Sequence, residues 1–372
     1  MGTRTKHKLP PDATALRSAE LWVAEALARA GGVETRNCGA WINEMRNSTV
    51  HAVRAMSLFS QFTQDGVLQL LFGKLGTANR HFVEFGFGYD SRDVTAGVMD
   101  AAGSGLNTRL LALQGWAGRY FDADVSSPAF NITKAVLTPQ NIGQAFADVG
   151  LPSEVDYVSI DVDSIDVWLM KGLLAPTSGF RPRVISVEVN TNFPASSRIA
   201  FHERWQPWSR RKIYGASAGA LNHVAETSGY RLVHVPPRLG DAFFVRNDVL
   251  ERRCNAASIP TFRDLSRHLP VANTQARCIR DDLNKIVDVP LFLEGRVAEA
   301  HRRAITEAHK LTVRQSSKGL QLCHQNDFFC PKSATLPLTR SSVWPKFNET
   351  TGLLRRCLCE PACPLHTNIG TR

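Results

Sequence analysis

Two neighbouring stretches decide the fold: VDYVSIDVDSIDVWLMKGLL, residues 155–174, and PRVISVEVN, residues 182–190. Each contains a continuous run of apolar and β-branched residues, which predicts a strand buried on both faces. Residues 166–174 lie between the two strands and have the length and composition of a helix. A strand, a helix and a strand in this order predict a largely parallel sheet with helices packed on its faces.

The same alternation extends in both directions along the chain. Further strands are predicted at His81–Gly86, Arg119–Val125, Tyr230–Val235 and Ala242–Asn247. Further helices are predicted at residues 108–114, 140–149 and 216–228. The last two strands are joined by a short link with Pro236, Pro237 and Gly240, which predicts antiparallel pairing at the sheet edge. Residues 76–250 are therefore predicted to form a Rossmann-like, doubly wound α/β domain.

Two regions flank this domain. Residues 1–75 are predicted to be a helical lead-in, with one helix over residues 14–30 that stops at Gly31-Gly32 and a second apolar-rich segment over residues 50–75. Residues 251–372 are predicted to be a basic, Cys-rich, helical and irregular extension without further strands, in which residues 290–311 form one long charged helix.

The extension carries most of the charge. Its 19 basic and 11 acidic residues contribute +8 of the net charge of +10. Such a surface either binds acidic partners or is a solvated helical face. Because the charges are scattered rather than clustered, a nucleic-acid partner is not favoured.

Cysteines and glycosylation triplets bear on the compartment. Seven of the eight cysteines follow residue 250. The cluster Cys323-x6-Cys330 and Cys357-x-Cys359-x3-Cys363 is expected to form either disulfides or a zinc site, and its spacings do not fit the usual pattern of structural zinc sites. N-glycosylation triplets begin at Asn47, Asn131 and Asn348. No apolar stretch approaches the ~20 residues of a membrane helix, and the first residues do not resemble a signal peptide. We therefore expect a soluble chain, cytoplasmic by default or lumenal if the cysteines form disulfides.

A glycine-containing turn follows the first strand, in HFVEFGFGYD, residues 81–90. It brings Glu84, Gly86 and Gly88 to the carboxyl end of a strand, where open α/β sheets bind their ligands. The fingerprint of dinucleotide-binding loops, G-x-G-x-x-G, is incomplete because position 91 is Ser91. These three residues are therefore predicted to bind a cofactor. Because the fingerprint is incomplete, a cofactor with a single nucleoside is favoured over a nicotinamide dinucleotide.

The second strand ends in carboxylates. Asp122, with Asp124 as second choice, is predicted to accept hydrogen bonds from the ribose hydroxyls of the ligand. The alternative is an aspartate that only stabilises the turn at Ser126-Ser127.

Acidic residues also follow the two strands that decide the fold. Alternation along a strand sends Asp161 and Asp163 to the same face, and Glu188 and Asn190 end the next strand. Together they predict a catalytic site, with Asp161 and Asp163 as ligands of a divalent cation such as Mg or Mn, or as a general base. The alternative is that Asp163 or Asp166 caps the following helix while Asp161 binds loop amides.

The order of these motifs resembles a class I S-adenosylmethionine-dependent methyltransferase domain, closest to the FkbM-type family. The resemblance covers residues 80–248 and rests on FVEFGFG, NTRLLALQGWAGRYFDAD, VDYVSIDVDSIDVWLMKGLL, PRVISVEVNTNFP, YGASAGALNHVAETSGYRLV and DAFFVRND. It implies a seven-stranded, mostly parallel sheet whose last strand inserts antiparallel. It also implies that S-adenosylmethionine lies over Glu84, Gly86 and Gly88, with its ribose held by Asp122.

The resemblance favours an enzyme that methylates an oxygen of a small or sugar-like acceptor. Trp205, Trp208 and the basic residues 209–212 are either the acceptor site, through stacking and ion pairing, or an exposed loop. Ser164 and Val167 depart from the family pattern. This departure leaves open a second interpretation, a non-catalytic scaffold protein that works through its basic, Cys-rich tail. A nicotinamide-dinucleotide enzyme is the third interpretation. The oligomeric state is left open by the sequence.

Overall fold

The protein is described here by a computed structural model. The described residues are 13–50, 57–86, 89, 91–100, 104–191, 193–204, 214–235, 240–267, 269 and 285–314, with four two-residue strands between residues 320 and 354. The chain divides into two compact units: unit 1, residues 1–189 and 221–269, and unit 2, residues 190–220 and 270–372. The domain boundaries predicted at residues 75 and 250 stay predictions.

Unit 1 is built on a seven-stranded sheet with the order β3-β2-β1-β4-β5-β8-β7. The longer strands of the described chain are β1 (His81–Phe85), β2 (Ala117–Asp122), β3 (Ile132–Lys134), β4 (Tyr157–Ile160), β5 (Val184–Glu188), β6 (Ile199–Phe201), β7 (Tyr230–His234), β8 (Asp241–Arg246) and β9 (Ile286–Asp288). Strand β8 runs antiparallel to both β5 and β7, and the other pairs of this sheet are parallel. The predicted fold class is therefore confirmed, and the sheet order is consistent with a Rossmann-like or methyltransferase fold.

The apolar runs of the sequence lie where the sheet is covered on both faces. Every residue of β4 is buried, and so is every residue of β5 except Glu188, which is half-buried. Strand β3 has three residues, too few to show an alternation, which is why it was not predicted directly from the sequence.

The helices predicted over residues 14–30, 108–114, 140–149, 166–174 and 216–228 are observed within two residues of their predicted bounds, whereas further helices of unit 1 before residue 267 were not predicted as such. The helices of the described residues are numbered in chain order. They are α1 (Ala13–Arg29), α2 (Cys38–Val50), α3 (Gln64–Leu75), α4 (Ser91–Thr95), α5 (Arg109–Leu113), α6 (Ile142–Asp148), α7 (Asp166–Leu174), α8 (Ala218–Thr227), α9 (Asn247–Arg253), α10 (Phe262–Ser266), α11 (Val289–Leu293) and α12 (Val297–Arg314). Helix α1 ends before Gly31 and Gly32, which both adopt positive φ. A disulfide joins Cys38, the first residue of α2, to Cys254, directly after α9.

Unit 2 differs from its prediction in two respects. Strands β6 and β9 pair antiparallel, so a strand does follow residue 250. The long helix predicted over residues 290–311 is interrupted, because Gly295 takes φ +78° between α11 and α12. Apolar side chains of β6, β9 and α12 form a core: Phe193, Ile199, Phe201, Ile286, Ala304 and Ile305. Strands β6 and β9 are too short, and the segment over residues 290–311 is too charged, for periodicity alone to predict the strands or the interruption of the helix.

Unit 2 also contains two antiparallel pairs of two-residue strands. Leu320–Gln321 pairs with Thr335–Leu336, and Phe347–Asn348 pairs with Leu353–Leu354. Among the described residues, no helix has both the length and the apolar character needed to cross a membrane.

Candidate functional site

The carboxyl ends of β1, β2, β4 and β5 meet at one edge of the sheet in unit 1, because these strands are parallel. Strand β8 runs the other way and therefore begins at this edge, opposite the end of β5. Acidic side chains follow or begin these strands: Glu84, Asp122, Asp161, Asp163, Glu188 and Asp241. This is the edge at which open α/β sheets bind ligands.

Three of these residues form a cluster. One carboxylate oxygen each of Asp161, Asp163 and Glu188 lies within 4.8 Å of the others. Asp163 adopts φ +58°, a left-handed conformation that is uncommon outside glycine. Hard oxygen donors at this spacing are the ligands that Mg²⁺ and Mn²⁺ prefer, so the cluster fits a divalent cation.

The electrostatics of the cluster also favour a cation. Burial raises the pKa of Asp161 well above its ordinary value, and the carboxylates of Asp241 and Asp166 raise it further. Burial likewise raises the pKa of Glu188 well above its ordinary value, with Asp161 as the largest neighbouring contribution. The pKa of Asp163 is also raised by burial, although a hydrogen bond with Glu188 lowers it. Like charges packed in this way need a proton or a cation between them.

The backbone requires glycine at position 86, in addition to the predicted role of Gly86 in cofactor binding. A Cβ at this position would lie 1.3 Å from the carbonyl oxygen of Asp161, and the residue has φ +91°. The turn after β1 therefore packs directly against the turn after β4, and only glycine allows this approach. Gly88 lies outside the described residues, so its role stays a prediction.

Glu84 is directed into the protein. Its Oε1 accepts a hydrogen bond from the backbone amide of Asn107 (2.9 Å), and its Oε2 accepts bonds from the amide (3.0 Å) and the hydroxyl (2.5 Å) of Thr108. Burial raises its pKa to about 7 in spite of these bonds. Glu84 thus fixes the loop that starts α5 beside the site, and its predicted contact with a cofactor is untested.

A polar network lies beneath the cluster, in the interior of the sheet. The carboxylate of Asp241 accepts hydrogen bonds from the hydroxyl of Ser186 (3.0 Å) and from the side-chain amide of Asn107 (3.2 Å). The same Asn107 amide donates to the hydroxyl of Ser159 (3.1 Å), and the hydroxyls of Tyr157 and Ser186 are 2.7 Å apart. The network connects β4, β5 and β8 to the loop that Glu84 holds.

Asp241 was not predicted as a site residue from the sequence. Burial raises its pKa to about 6. A signal was present in the sequence, since Ser159 and Ser186 interrupt two otherwise apolar strands. Such interruptions at facing positions of adjacent buried strands indicate a polar partner inside the sheet.

The turn after β4 is organised by Asp166 rather than by the two preceding aspartates. Its Oδ1 accepts from the amide of Val162 (2.7 Å) and its Oδ2 from the amide of Ser164 (2.9 Å). Asp166 thus binds amides of the turn that precedes α7, whereas the N-cap of α7 is Ile165 and no side-chain hydrogen bond caps the helix. Within the described part of the chain, neither Asp161 nor Asp163 forms an ion pair.

Asp122 lies at the end of β2 and uses one oxygen locally. Its Oδ1 accepts hydrogen bonds from the amides of Asp124 and Val125, both at 2.7 Å, and so closes a turn. Asp122 is half-buried and Asp124 is exposed. The turn-forming alternative is thus present for Asp122, and its Oδ2 is left for a ribose, which stays a prediction.

Asn190 belongs to unit 2. Its side-chain amide donates to the carbonyl of Tyr214 (2.8 Å), and its backbone amide donates to the carbonyl of Ala216 (2.8 Å). It anchors the chain entering unit 2, and its predicted catalytic role is untested. Trp205, Trp208 and residues 209–212, which suggested a sugar-like acceptor, lie outside the described residues.

Comparison with known proteins adds no assignment. No protein-family model matches the chain, and a search of the curated proteins finds no match. The geometry of unit 1 therefore carries the functional argument.

Proposed function

We propose that unit 1 is an S-adenosylmethionine-dependent methyltransferase domain that acts on an acceptor oxygen with a divalent cation at Asp161, Asp163 and Glu188. The observation that carries the proposal is the antiparallel strand β8, inserted between β5 and β7 beside this acidic edge. The resemblance to FkbM-type domains implies this insertion. Dinucleotide-binding Rossmann domains, by contrast, have a parallel sheet with the order 3-2-1-4-5-6.

The residues of this edge divide the work of binding. Glu84 holds the loop at residues 107–108 through both carboxylate oxygens. Asp122 has one oxygen in the turn after β2 and one for the ribose of an adenosyl ligand. The cofactor, when bound, supplies an electrophilic methyl group. Methyl transfer then requires chiefly alignment of the acceptor and exclusion of water.

The acidic cluster would prepare the acceptor. Asp161, Asp163 and Glu188 would hold Mg²⁺ or Mn²⁺, whose charge lowers the pKa of an acceptor hydroxyl. A carboxylate of the cluster that is not bound to the cation would accept the proton that the acceptor hydroxyl releases. An acidic site of this kind favours a neutral acceptor such as a sugar or another polyol over an anionic one.

The first test is the stability of the purified full chain with S-adenosylmethionine, S-adenosylhomocysteine or NAD, each with and without Mn²⁺. A ligand that binds only the folded state adds about 2.7 kcal/mol at ~100 times its Kd, which thermal unfolding detects readily. We expect stabilisation by the two adenosyl compounds and none by NAD.

The variant Asp122→Asn sharpens this test. Its carbonyl oxygen preserves the turn with Asp124 and Val125, whereas its amide nitrogen cannot accept from a ribose hydroxyl. Asp122→Asn should lose the adenosyl stabilisation, and the exposed Asp148→Asn should keep it. Stabilisation by NAD alone would favour the dinucleotide enzyme, and stabilisation by no nucleotide would favour the scaffold.

A further inference from the structure

A buried disulfide indicates the kind of cellular compartment in which this chain folds. Cys38 and Cys254 are joined across 216 residues, and both side chains are buried, with exposed fractions of 0% and 2%. Disulfides form and persist in oxidising compartments and are rare where thiols are kept reduced. The remaining six of the eight cysteines are an even number, as a disulfide framework requires.

An independent feature points to the same kind of compartment. The triplet Asn131-Ile132-Thr133 is an N-glycosylation acceptor. An oligosaccharide is bulky and hydrophilic, so the folded chain can carry one only on an exposed asparagine. Asn131 is exposed, and it precedes β3, the strand at one edge of the sheet.

The backbone at Asn131 turns the side chain outwards. Residues 128–130 form a single 3-10 turn, after which Asn131 adopts φ +55°. Its amide donates to the carbonyl of Pro128 (3.2 Å), and its carbonyl accepts from the amide of Tyr120 (3.0 Å). Within the described part of the chain, its side-chain amide makes no hydrogen bond. The left-handed turn is one that asparagine tolerates well.

The other two triplets are less informative. Asn47 is exposed but lies inside helix α2, and the side chain of the third residue of its triplet is outside the described residues. Asn348 ends a two-residue strand whose side chains are also outside them. For the triplet that begins at Asn131, the structure thus describes both the backbone turn and the exposure of the asparagine.

We propose that Asn131 is an N-glycosylation site and that the chain folds in the oxidising lumen where such glycans are transferred. The donor is an oligosaccharide linked through its anomeric carbon to a lipid diphosphate. The bond between this carbon and the phosphate oxygen breaks, and the oxygen leaves with the electron pair. A new bond forms from the anomeric carbon to Nδ2 of Asn131, which releases one proton. This proposal does not depend on methyl transfer.

A glycan at this position would also protect the sheet edge. Strand β3 pairs with β2 on one side, and Val136, just beyond it, is 60% exposed. Edge strands that present unpaired backbone and apolar groups invite pairing between molecules, and a bulky solvated group beside them prevents it.

The test uses the full chain isolated from its native cells, with free thiols alkylated before lysis and the protein digested without reduction. Peptide N-glycosidase in heavy-oxygen water converts a glycosylated asparagine to a labelled aspartate. We expect the label at Asn131 and a peptide in which Cys38 and Cys254 are linked. An unlabelled Asn131 overturns the glycan assignment, and alkylated Cys38 and Cys254 overturn the oxidising compartment.

Matched variants in the same gene and the same cells separate the triplet from the fold. Thr133→Ser keeps the acceptor triplet and should keep the glycan, whereas Thr133→Ala and Asn131→Gln should each lose one discrete step in electrophoretic mobility. Thr133 lies on β3 and is half-buried, so both of its substitutions make a similar change to the strand. Retention of the mobility step in Thr133→Ala would contradict the proposal.

Discussion

The two ends of strand β4 each carry an aspartate, and their surroundings are opposite. At the amino end, Asp156 is fully buried, accepts hydrogen bonds from the backbone amides of residues 78–80 and pairs with the guanidinium of Arg183. At the carboxyl end, Asp161 lies against Asp163 and Glu188 and has no ion pair within the described residues. One end compensates its charge, and the other end concentrates charge.

The difference supports the proposal that the amino end of the sheet contributes stability and the carboxyl end binds a ligand. A buried carboxylate with an arginine and three amides is a satisfied part of the interior. A set of half-buried carboxylates that raise one another's pKa costs stability, and such sets are characteristic of functional sites. The comparison thus supports the carboxyl edge as the binding site, and it can be tested by removing charge from each end.

The largest effect is expected at the amino end. Asp156→Ala leaves Arg183 buried without its carboxylate and removes the acceptor of three amides. We expect the free energy of unfolding to fall by about 3–5 kcal/mol, as for other broken buried ion pairs. Urea unfolding measures the loss. Glu25→Ala, which removes an exposed carboxylate 3.9 Å from Arg29, serves as the control and should leave the midpoint in place. A loss below about 1 kcal/mol would mean that the two ends do not differ.

The opposite sign is expected at the carboxyl end. Asp161→Asn removes a like charge from the cluster, so the metal-free protein should be as stable as the wild type or more stable by about 0.5–2 kcal/mol at pH 8. The same variant should lose the stabilisation by Mn²⁺ that the wild type shows, as measured by thermal unfolding and by titration calorimetry. A loss of stability as large as that of Asp156→Ala would contradict this, because it would show that a positively charged side chain already compensates Asp161.

The third prediction concerns the dependence of stability on pH. Burial raises the pKa of Glu84 to about 7, above the ~4.3 of an unfolded chain. The folded state then binds more protons than the unfolded state between these values, so the stability from Glu84 is present at low pH and is lost as pH rises through about 7. The unfolding free energy of the wild type should therefore fall relative to Glu84→Gln between pH 5 and pH 8. Parallel curves for the two proteins would contradict this, and Glu25→Gln should follow the wild type throughout.

The sequence predicted the sheet because its central strands leave a strong pattern. Strands β4 and β5 are buried on both faces, and the residues at their ends could be assigned to one edge from strand polarity alone. The cluster of Asp161, Asp163 and Glu188 follows from this reasoning. Short elements left no pattern, which is why β3, with three residues, was implied by the resemblance and not by its own sequence.

The roles of single acidic residues could not be predicted in the same way. Glu84 looks like a ligand residue in the sequence, yet both of its carboxylate oxygens accept hydrogen bonds from residues 107 and 108 of a neighbouring loop. Asp241 looks unremarkable, yet it joins the polar network inside the sheet. Which carboxylate faces a ligand and which faces the chain depends on loop paths, and these have no periodic signature.

The insertion of β8 between β5 and β7 has a consequence for biosynthesis. A ribosome releases β5 about fifty residues before the strand that must cover its edge, and the intervening chain belongs largely to unit 2. During this interval, a central, apolar strand has an open edge, which is the feature that promotes aggregation of nascent chains. The sheet cannot close, and Cys38 cannot find Cys254, until the region around residue 254 has emerged. Early termination anywhere before β8 is therefore expected to yield an insoluble fragment rather than a smaller working enzyme.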